Sequence, residues 1–336
     1  MMRSVLLGFS GGIDSCTSAR ILSNEGYRVV ALTIDTMGDE AMVDKAQQRA
    51  EELGIEWLTY DAREVFKREI IDYFCHEYAI GHTPAPCTRC NPLIKWRILA
   101  QEADRRGITH IATGHYFNIE RRDNLYYVTK GLDETKDQSY YLWGLTQDIL
   151  ARAITPMGNA IKSDVKRSFK DKSESMGICF LQGLPYAEFL AKQGISMSEG
   201  EVVTESGEVR GKHNGIARYT IGQRRGAGIP EGMRVIDIDA ASNHIIVGDN
   251  SRLYHNKLTV AECNIVSREE LLSATDITIK IRGIGRNPER PVRIEECDGM
   301  YIVTTDDPAW APALGQPIVF YRNNWVIGGG IVVGFN

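Results

Sequence analysis

Residues 4–15 constrain this chain more than any other stretch. The apolar run Ser4-Val5-Leu6-Leu7 leads directly into Gly8-Phe9-Ser10-Gly11-Gly12-Ile13-Asp14-Ser15, and a helix-like stretch follows. Glycines let backbone N–H groups turn inward, and the helix N-terminus adds partial positive charge, so the turn forms a phosphate cradle. A Walker A loop would end in Lys-Ser or Lys-Thr. This one ends in Asp14-Ser15, so a grip on a transferring γ-phosphate lacks its lysine.

The rest of the first half repeats the same unit. Short β runs are expected at 4–8, 28–34, 56–60 and 108–113, with helical patterns at 16–25, 39–53, 63–79 and 91–106 between them. Such alternation calls for a doubly wound parallel sheet with helices on both faces. Ligands bind these sheets at the carboxyl ends of the strands, where Ser10–Ser15 and Thr113-Gly114-His115 can converge. After about residue 190 the character changes. A Gly-, Ser- and Glu-rich stretch, 194–215, precedes short runs at 216–221, 233–238 and 244–248. A second β-rich block follows at 257–265, 277–282, 291–296, 300–304, 317–321 and 325–333. Strands at this spacing suggest one or two small antiparallel barrels. The expected domains are 1–193, 194–253 and 254–336, which suits a length of 336 residues.

The N-terminus has no apolar signal region and no run is long enough to span a bilayer, so the cytoplasm is the expected compartment. A net charge of −5 weighs mildly against a nucleic-acid partner. Its distribution points the other way. Residues 210–225 carry Arg210, Lys212, Arg218, Arg224 and Arg225 with no acid, and 280–293 carries five basic residues against Glu289. Each run alone reads as a solvated face; together they would suit a phosphate-tracking surface.

Seven cysteines, unevenly spaced, argue for metal or redox chemistry over a disulfide scaffold. Cys87-Thr88-Arg89-Cys90 closes a Pro-stiffened loop that ends where Asn91 can cap a helix beginning at Pro92. A helix N-terminus favours the thiolate. Cys179, between Ile178 and Phe180, would by itself read as a small buried hydrophobe. A C-x-x-C plus one distant cysteine is too few for a closed structural zinc site. It fits a redox disulfide, a persulfide carrier with a partner thiol, or three ligands of an iron–sulfur cluster.

Ser-Gly-Gly-x-Asp-Ser resembles the PP-loop of ATP pyrophosphatases, which hold pyrophosphate while AMP passes to a substrate oxygen. Taken with six further blocks, the chain resembles the tRNA-specific 2-thiouridylases over nearly its whole length. Those blocks are Thr83-Pro84-x-Pro86 with Cys90-Asn91-x-x-Ile94-Lys95, Ala112-Thr113-Gly114-His115-Tyr116, and Lys136-Asp137-Gln138-Ser139-Tyr140-Tyr141-Leu142. Gly177-Ile178-Cys179-Phe180, Tyr219-Thr220-Ile221-Gly222-Gln223-Arg224, and Gly315-Gln316 through Gly328-Gly329-Gly330 complete them.

The resemblance implies ATP-dependent replacement of O2 of the wobble uridine by sulfur. ATP and Mg²⁺ are the implied cofactors, with Mg²⁺ near Asp14. Gly8, Phe9, Ser10, Gly11, Gly12, Ile13, Asp14, Ser15, Ile34 and Gly114 would surround the nucleotide. Cys179 would carry a persulfide and Cys90 would help release its sulfur, through a disulfide with its partner or as nucleophile. His115, Lys136, Asp137, Gln138, Arg282 and Gln316 would face tRNA. The implied partners are tRNA and a sulfur donor, either a cysteine desulfurase or a relay protein, and no membrane. The family commonly has Asp where this chain has Cys87, so Cys87, Cys90 and Cys179 are also candidate ligands of a [4Fe–4S] cluster. The alternative enzyme class is an amide-forming PP-loop ATP pyrophosphatase, which would leave Cys90 and Cys179 without work. An RNA-binding module with a vestigial nucleotide site is the non-enzymatic alternative, and the intact loop argues against it.

Overall fold

In the computed structural model, which describes residues 3–169, 177–281 and 286–336, Val5, Leu6 and Leu7 are wholly buried. They form the middle of strand β1 (Ser4–Gly8), the central strand of a five-stranded sheet. Its other members are β2 (Arg28–Asp35), β3 (Glu56–Asp61), β4 (His110–Thr113) and, after a hairpin, the two-residue β7 (Ala153–Ile154). The order is β3-β2-β1-β4-β7 and every pairing is parallel. The order reverses at β1, so the loops after β1 and β4 leave the same end of the sheet side by side.

Helix α1 (Ile13–Asn24) lays Ser15, Cys16, Ser18, Ala19 and Leu22 inward, mostly small side chains that let it approach the sheet closely. Helix α2 (Glu40–Glu52) starts at Asp39, whose carboxylate accepts the Met42 N–H at 3.0 Å. It buries Ala46 and Ala50, four residues apart on one face.

The chain divides into two compact units, the first comprising Met1–Ile70, Cys87–Met176 and Asn324–Ile327. It includes the antiparallel hairpin β5 (Phe117–Arg122) and β6 (Leu125–Lys130), absent from the sequence reading. Asp123 and Asn124 form its turn with φ of 50° and 66°. The segment bearing Cys87 and Cys90 also departs from expectation. Helix begins at Pro86, runs through Pro86–Cys90 and a π-helical turn Asn91–Lys95, and continues as Trp96–Arg105. Asn91 is therefore interior, not a cap; its amide donates to the Tyr141 carbonyl at 3.0 Å. A proline inside a helix removes one N–H and crowds the preceding turn, and the wider π turn accommodates Pro92.

The second unit comprises Ile71–Pro86, Gly177–Asn323 and Gly328–Asn336. Strands β8 (Gly200–Thr204), β9 (Val209–His213), β10 (Arg234–Asp239) and β11 (His244–Gly248) form one sheet in the order β10-β11-β8-β9. The β11–β8 pair is parallel, so this sheet is not wholly antiparallel. The run expected as a strand at 216–221 is a 3₁₀ turn, Ile216–Arg218, and a loop. Glycines at φ 110° (Gly215) and 86° (Gly222) bracket it and break any extended run. The last sheet contains β12 (Tyr254–Ile265), β13 (Ile277–Lys280), β14 (Val292–Cys297), β15 (Met300–Trp310), β16 (Pro317–Arg322) and β17 (Trp325–Phe335). Among the described residues no helix is long and apolar enough to cross a membrane.

Candidate active site

The loop after β1 is held by its own side chains. Ser15 is buried and its hydroxyl donates to the Gly12 carbonyl at 3.0 Å. The Ser10 N–H donates back to Ser15 Oγ at 3.3 Å, and the Gly12 N–H to Ser10 Oγ at 3.4 Å. Phe9 is buried, and its carbonyl accepts Thr33 Oγ1 at 2.9 Å. Gly12 is the N-cap of α1 and no side chain caps the helix. Gly11 has φ 68°, and a β-carbon there would stand 2.8 Å from Ala46 Cα, so α2 leaves room for glycine alone. Gly114, just after β4, is nearly as tightly placed: its β-carbon would be 3.1 Å from the Asp14 carbonyl carbon and the Ser15 nitrogen. The convergence expected of the two loops is therefore present. Gly8 ends β1, Ile34 is the penultimate residue of β2, and Ile13 packs against Tyr116, Met157 and Val165.

Asp14 gathers a centre that the sequence did not disclose. Lys162 Nζ donates to its two carboxylate oxygens at 2.6 and 2.7 Å, and the Tyr116 hydroxyl donates to Oδ1 at 2.8 Å. The Lys162 side chain is 9% exposed and that of Asp14 34%. The lysine missing from the loop is thus supplied by a helix start 148 residues away. The Tyr116 backbone is fixed in turn: its N–H donates to Gln138 Oε1 and its carbonyl accepts the Gln138 N–H, both at 2.9 Å. One chain of hydrogen bonds links Gln138, Tyr116, Asp14 and Lys162.

Cys90 is 5% exposed and Cys87 is half-buried, both on the helix opened by Pro86. Arg89 between them turns away and donates to the Glu69 carbonyl at 3.0 Å. The Tyr141 hydroxyl has its pKa raised by burial, with Cys87 adding to the rise. Cys179, in the second unit, is exposed on a 3₁₀ turn Cys179–Leu181. Its flanks take left-handed backbone, φ 90° at Gly177 and 47° at Gln182. Phe180 anchors the turn, buried against Phe74 (centroids 5.2 Å) and Phe189 (5.1 Å). The buried reading for Cys179 is therefore wrong: its neighbour is buried and the thiol is not. Among the described residues no three His, Cys, Asp or Glu side chains gather as a metal site. Of the three cysteines named as cluster ligands, Cys87 and Cys90 belong to the first unit and Cys179 to the second.

The residues expected to face tRNA fall into different settings. His115 is half-buried; its Nδ1 lies 2.7 Å from Thr113 Oγ1, and burial, reinforced by Lys95, pushes its pKa down to about 3. It offers a neutral ring, not a cation. Asp137 spends its carboxylate on the loop itself, accepting Gly131 N–H at 3.0 Å, Ser139 N–H at 3.2 Å and Ser139 Oγ at 2.8 Å. Lys136 is half-buried, and its N–H donates to the Asp133 carbonyl. Gln316, also half-buried, accepts the Val332 N–H through its backbone at 2.8 Å. Arg282 lies outside the described residues.

A parallel sheet with an uncapped, glycine-turned helix N-terminus at its switch point, followed by two β-rich sheets, defines an α/β nucleotide-binding enzyme of the PP-loop kind. Comparison with known sequences narrows this. Three family profiles match in order: a "tRNA methyl transferase HUP domain" over residues 3–183, a "tRNA methyl transferase PRC-barrel domain" over 187–249, and an "aminomethyltransferase beta-barrel domain" over 255–332. The chain is 39% identical over 344 residues to the tRNA-specific 2-thiouridylase MnmA 2 of Phocaeicola vulgatus, covering 98% of this chain and 97% of that one. To MnmA 1 of Bacteroides fragilis it is 38% identical over 355 residues, covering 98% and 97%. To MnmA of a Nostoc species it is 36% identical over 354 residues, covering both chains completely. The chain belongs to the MnmA family of tRNA-specific 2-thiouridylases.

Proposed function

We propose that this protein thiolates C2 of the wobble uridine of tRNA at the expense of ATP, with sulfur delivered from a persulfide on Cys179. The observation that carries the reading is the Asp14–Lys162–Tyr116 centre at the uncapped start of α1. The uracil O2 is a poor leaving group. In the proposed reaction it attacks the α-phosphorus of ATP, the bridging Pα–O bond breaks, and pyrophosphate leaves toward the loop. The backbone N–H groups of residues 11–15 and the Lys162 ammonium would offset the charge on it. Asp14 is the carboxylate of the loop that would meet Mg²⁺ carried on the phosphates, and that ion neutralises phosphate charge. Gly8, Phe9, Ile34 and Gly114 would shape the nucleotide pocket around it.

The terminal sulfur of the Cys179 persulfide then adds to C2, and the C2–O bond breaks as AMP leaves. Attack of the Cys90 thiolate on Cys179 Sγ frees the sulfur on the base and leaves a Cys90–Cys179 disulfide, which a thiol reductant must reopen. This needs Cys90 uncovered when tRNA binds. Sulfur would come from a cysteine desulfurase or relay protein docking near exposed Cys179, in the cytoplasm. The chain would divide into three parts at about 193 and 253, the first part holding the chemistry. Among the residues assigned to tRNA, His115 would meet a base through its neutral ring, whereas Lys136, Arg282 and Gln316 would meet backbone or sugar. Asp137 and Gln138 would act by holding the loop.

The test is mass spectrometry of tRNA nucleosides with and without the gene, and after complementation by Cys90→Ser and Cys179→Ser. Loss of 2-thiouridine, restored by the unaltered gene and by neither variant, supports the reading; unchanged 2-thiouridine in the deletion overturns it. Iron and sulfide content after anaerobic purification separates the sulfur routes, since the persulfide route predicts full activity without iron. The words "methyl transferase" in the matched profiles suggest another reaction. A methyl transfer has no use for a pyrophosphate-holding loop or two thiols, and methyl incorporation independent of ATP would favour it.

A further inference from the structure

The basic run 210–225 separates into two kinds of residue in the folded chain. Arg210 pairs with Glu208 at 2.9 Å and Lys212 with Glu199 at 2.7 Å, so those charges are spent internally. Arg224 and Arg225 are exposed and make no ion pair or hydrogen bond through their side chains among the described residues. This chain has 44 acidic residues against 39 basic ones, with carboxylates to spare for such pairs. Elsewhere in the same unit it uses them: Arg252 pairs with Glu205, Arg268 with Glu296, Arg293 with Asp306, and Arg322 with Glu270 and Asp276.

The backbone that carries the two arginines is held from several sides. Gly222 N–H donates to the Val235 carbonyl at 2.8 Å and Val235 N–H to the Gln223 carbonyl at 2.9 Å. The Gln223 side chain spans the turn, accepting the Thr220 N–H at 3.2 Å and donating to the Arg225 carbonyl at 2.7 Å. Arg234 donates to the Gly222 carbonyl at 3.0 Å, and the Tyr219 hydroxyl to the Ala227 carbonyl at 2.8 Å. Gly222 adopts φ 86° and sits so close to Trp310 that a β-carbon would lie 3.1 Å from the ring. A loop braced this way pays little ordering entropy when its side chains meet a ligand.

We propose that the loop at 219–230 is a phosphate clamp, in which Arg224 and Arg225 grip the sugar–phosphate backbone of the tRNA away from the reacting base. Guanidinium groups pair with phosphate oxygens through two N–H donors at once, and such contacts position an RNA without reading its sequence. The proposal rests on the tRNA-thiolation reading and adds a contact that reading does not contain.

The test measures affinity for unmodified tRNA by fluorescence anisotropy from 50 to 200 mM salt, for the unaltered protein, R224Q/R225Q and the control R210Q. Each lost phosphate contact lowers the salt slope by about one, so the double variant should have a slope shallower by about two. Over this fourfold salt range the unaltered protein should then lose about sixteenfold more affinity than the double variant. R210Q should keep the full slope, and ATP affinity should be the same for all three. A double variant with an undiminished slope overturns the clamp while leaving the thiolation reading intact. An unchanged slope with loss of sulfur uptake from the donor protein also overturns it, and assigns the pair to an acidic protein surface. Failure of the unaltered protein to bind tRNA overturns the thiolation reading and the clamp with it.

Discussion

The three glycines around Asp14 should respond very differently to a single added methyl group, and the difference follows from geometry. At Gly11 an alanine must adopt φ 68° and place its β-carbon 2.8 Å from Ala46 Cα and 3.1 Å from Ala46 N. The left-handed conformation costs about 1–2 kcal/mol, and overlap with helix backbone that cannot swing aside costs about 1–3 kcal/mol more. A stiffer unfolded chain returns about 0.4–1 kcal/mol, so the net loss is roughly 2–4 kcal/mol. At Gly12 φ is −78° and ψ 168°, open to any residue, and the nearest obstacle is Ser10 Oγ at 3.3 Å, a hydroxyl that can rotate. Gly12→Ala should stay within about 1 kcal/mol of the parent. Gly114→Ala lies between, at about 1–3 kcal/mol, because its neighbours at 3.1 Å are the backbone atoms of Asp14 and Ser15. At about 2–4 °C per kcal/mol, thermal unfolding should fall by roughly 5–15 °C for Gly11→Ala and by under about 4 °C for Gly12→Ala. ATP affinity gives the complementary readout. Gly12→Ala should weaken ATP binding despite its stability, since the methyl group is added where phosphates approach α1, and Gly114→Ala should weaken it by shifting the loop. Equal destabilisation by Gly11→Ala and Gly12→Ala, or an unchanged Tm for Gly11→Ala, would refute the reasoning.

Lys162→Met should cut tRNA-dependent pyrophosphate release at least tenfold, whereas Asp14→Asn should destabilise more, because the lysine that loses its carboxylate is far more buried than the aspartate; denaturant melts and a pyrophosphate assay of both variants check the order. His115 should remain neutral from pH 8 down to pH 5, seen as an imidazole C–H resonance that does not move. Its depressed pKa means the unfolded chain binds the proton first, so between about pH 6.5 and pH 3 stability should fall with falling pH, by up to about 1.4 kcal/mol per unit. His115→Gln should flatten that limb, and an equal slope in the variant would assign it to other groups. Brief alkylation of the folded protein at pH 8, followed by peptide mapping, should label exposed Cys179 and Cys297 first. Cys263, half-buried and pushed up to about 12 by burial and Glu262, should label more slowly than either; modification of Cys263 as fast as that of Cys179 would contradict that environment.

What the sequence made legible, and what it hid, divides by the range of the interactions responsible. The strand, glycine turn and helix at residues 4–24 are local: period, turn chemistry and helix start all lie within one window, and the structure follows them closely. The β5–β6 hairpin was equally local and went unread, although Asp123-Asn124 is a pair that tolerates left-handed backbone between two alternating runs. The helix bearing Cys90 misled for a different reason. Asn91-Pro92 has the composition of a helix start, and only packing against Tyr141 and a π turn shows it to be an interior. That shift matters for chemistry, since Cys87 takes the first turn, where the helix dipole acts, and Cys90 lies deeper and almost covered. Lys162 was not legible at all. A lysine opening a short polar helix reads as solvated surface, and nothing near it in the chain announces Asp14. Only the fold brings the two within 2.6 Å, at the carboxyl end of β1 where anions bind. A Walker loop carries its cation in its own sequence; this loop takes one from another segment. Any displacement of residues 133–162 must therefore also move the charge that balances Asp14. The Lys162 N–H bond to Asp133 ties that segment to the Lys136–Gln138 loop, whose Gln138 holds Tyr116 on Asp14. The Lys136–Gln138 loop, proposed above to meet tRNA, is thereby joined to the nucleotide loop by two hydrogen-bonded routes, one through Lys162 and one through Tyr116.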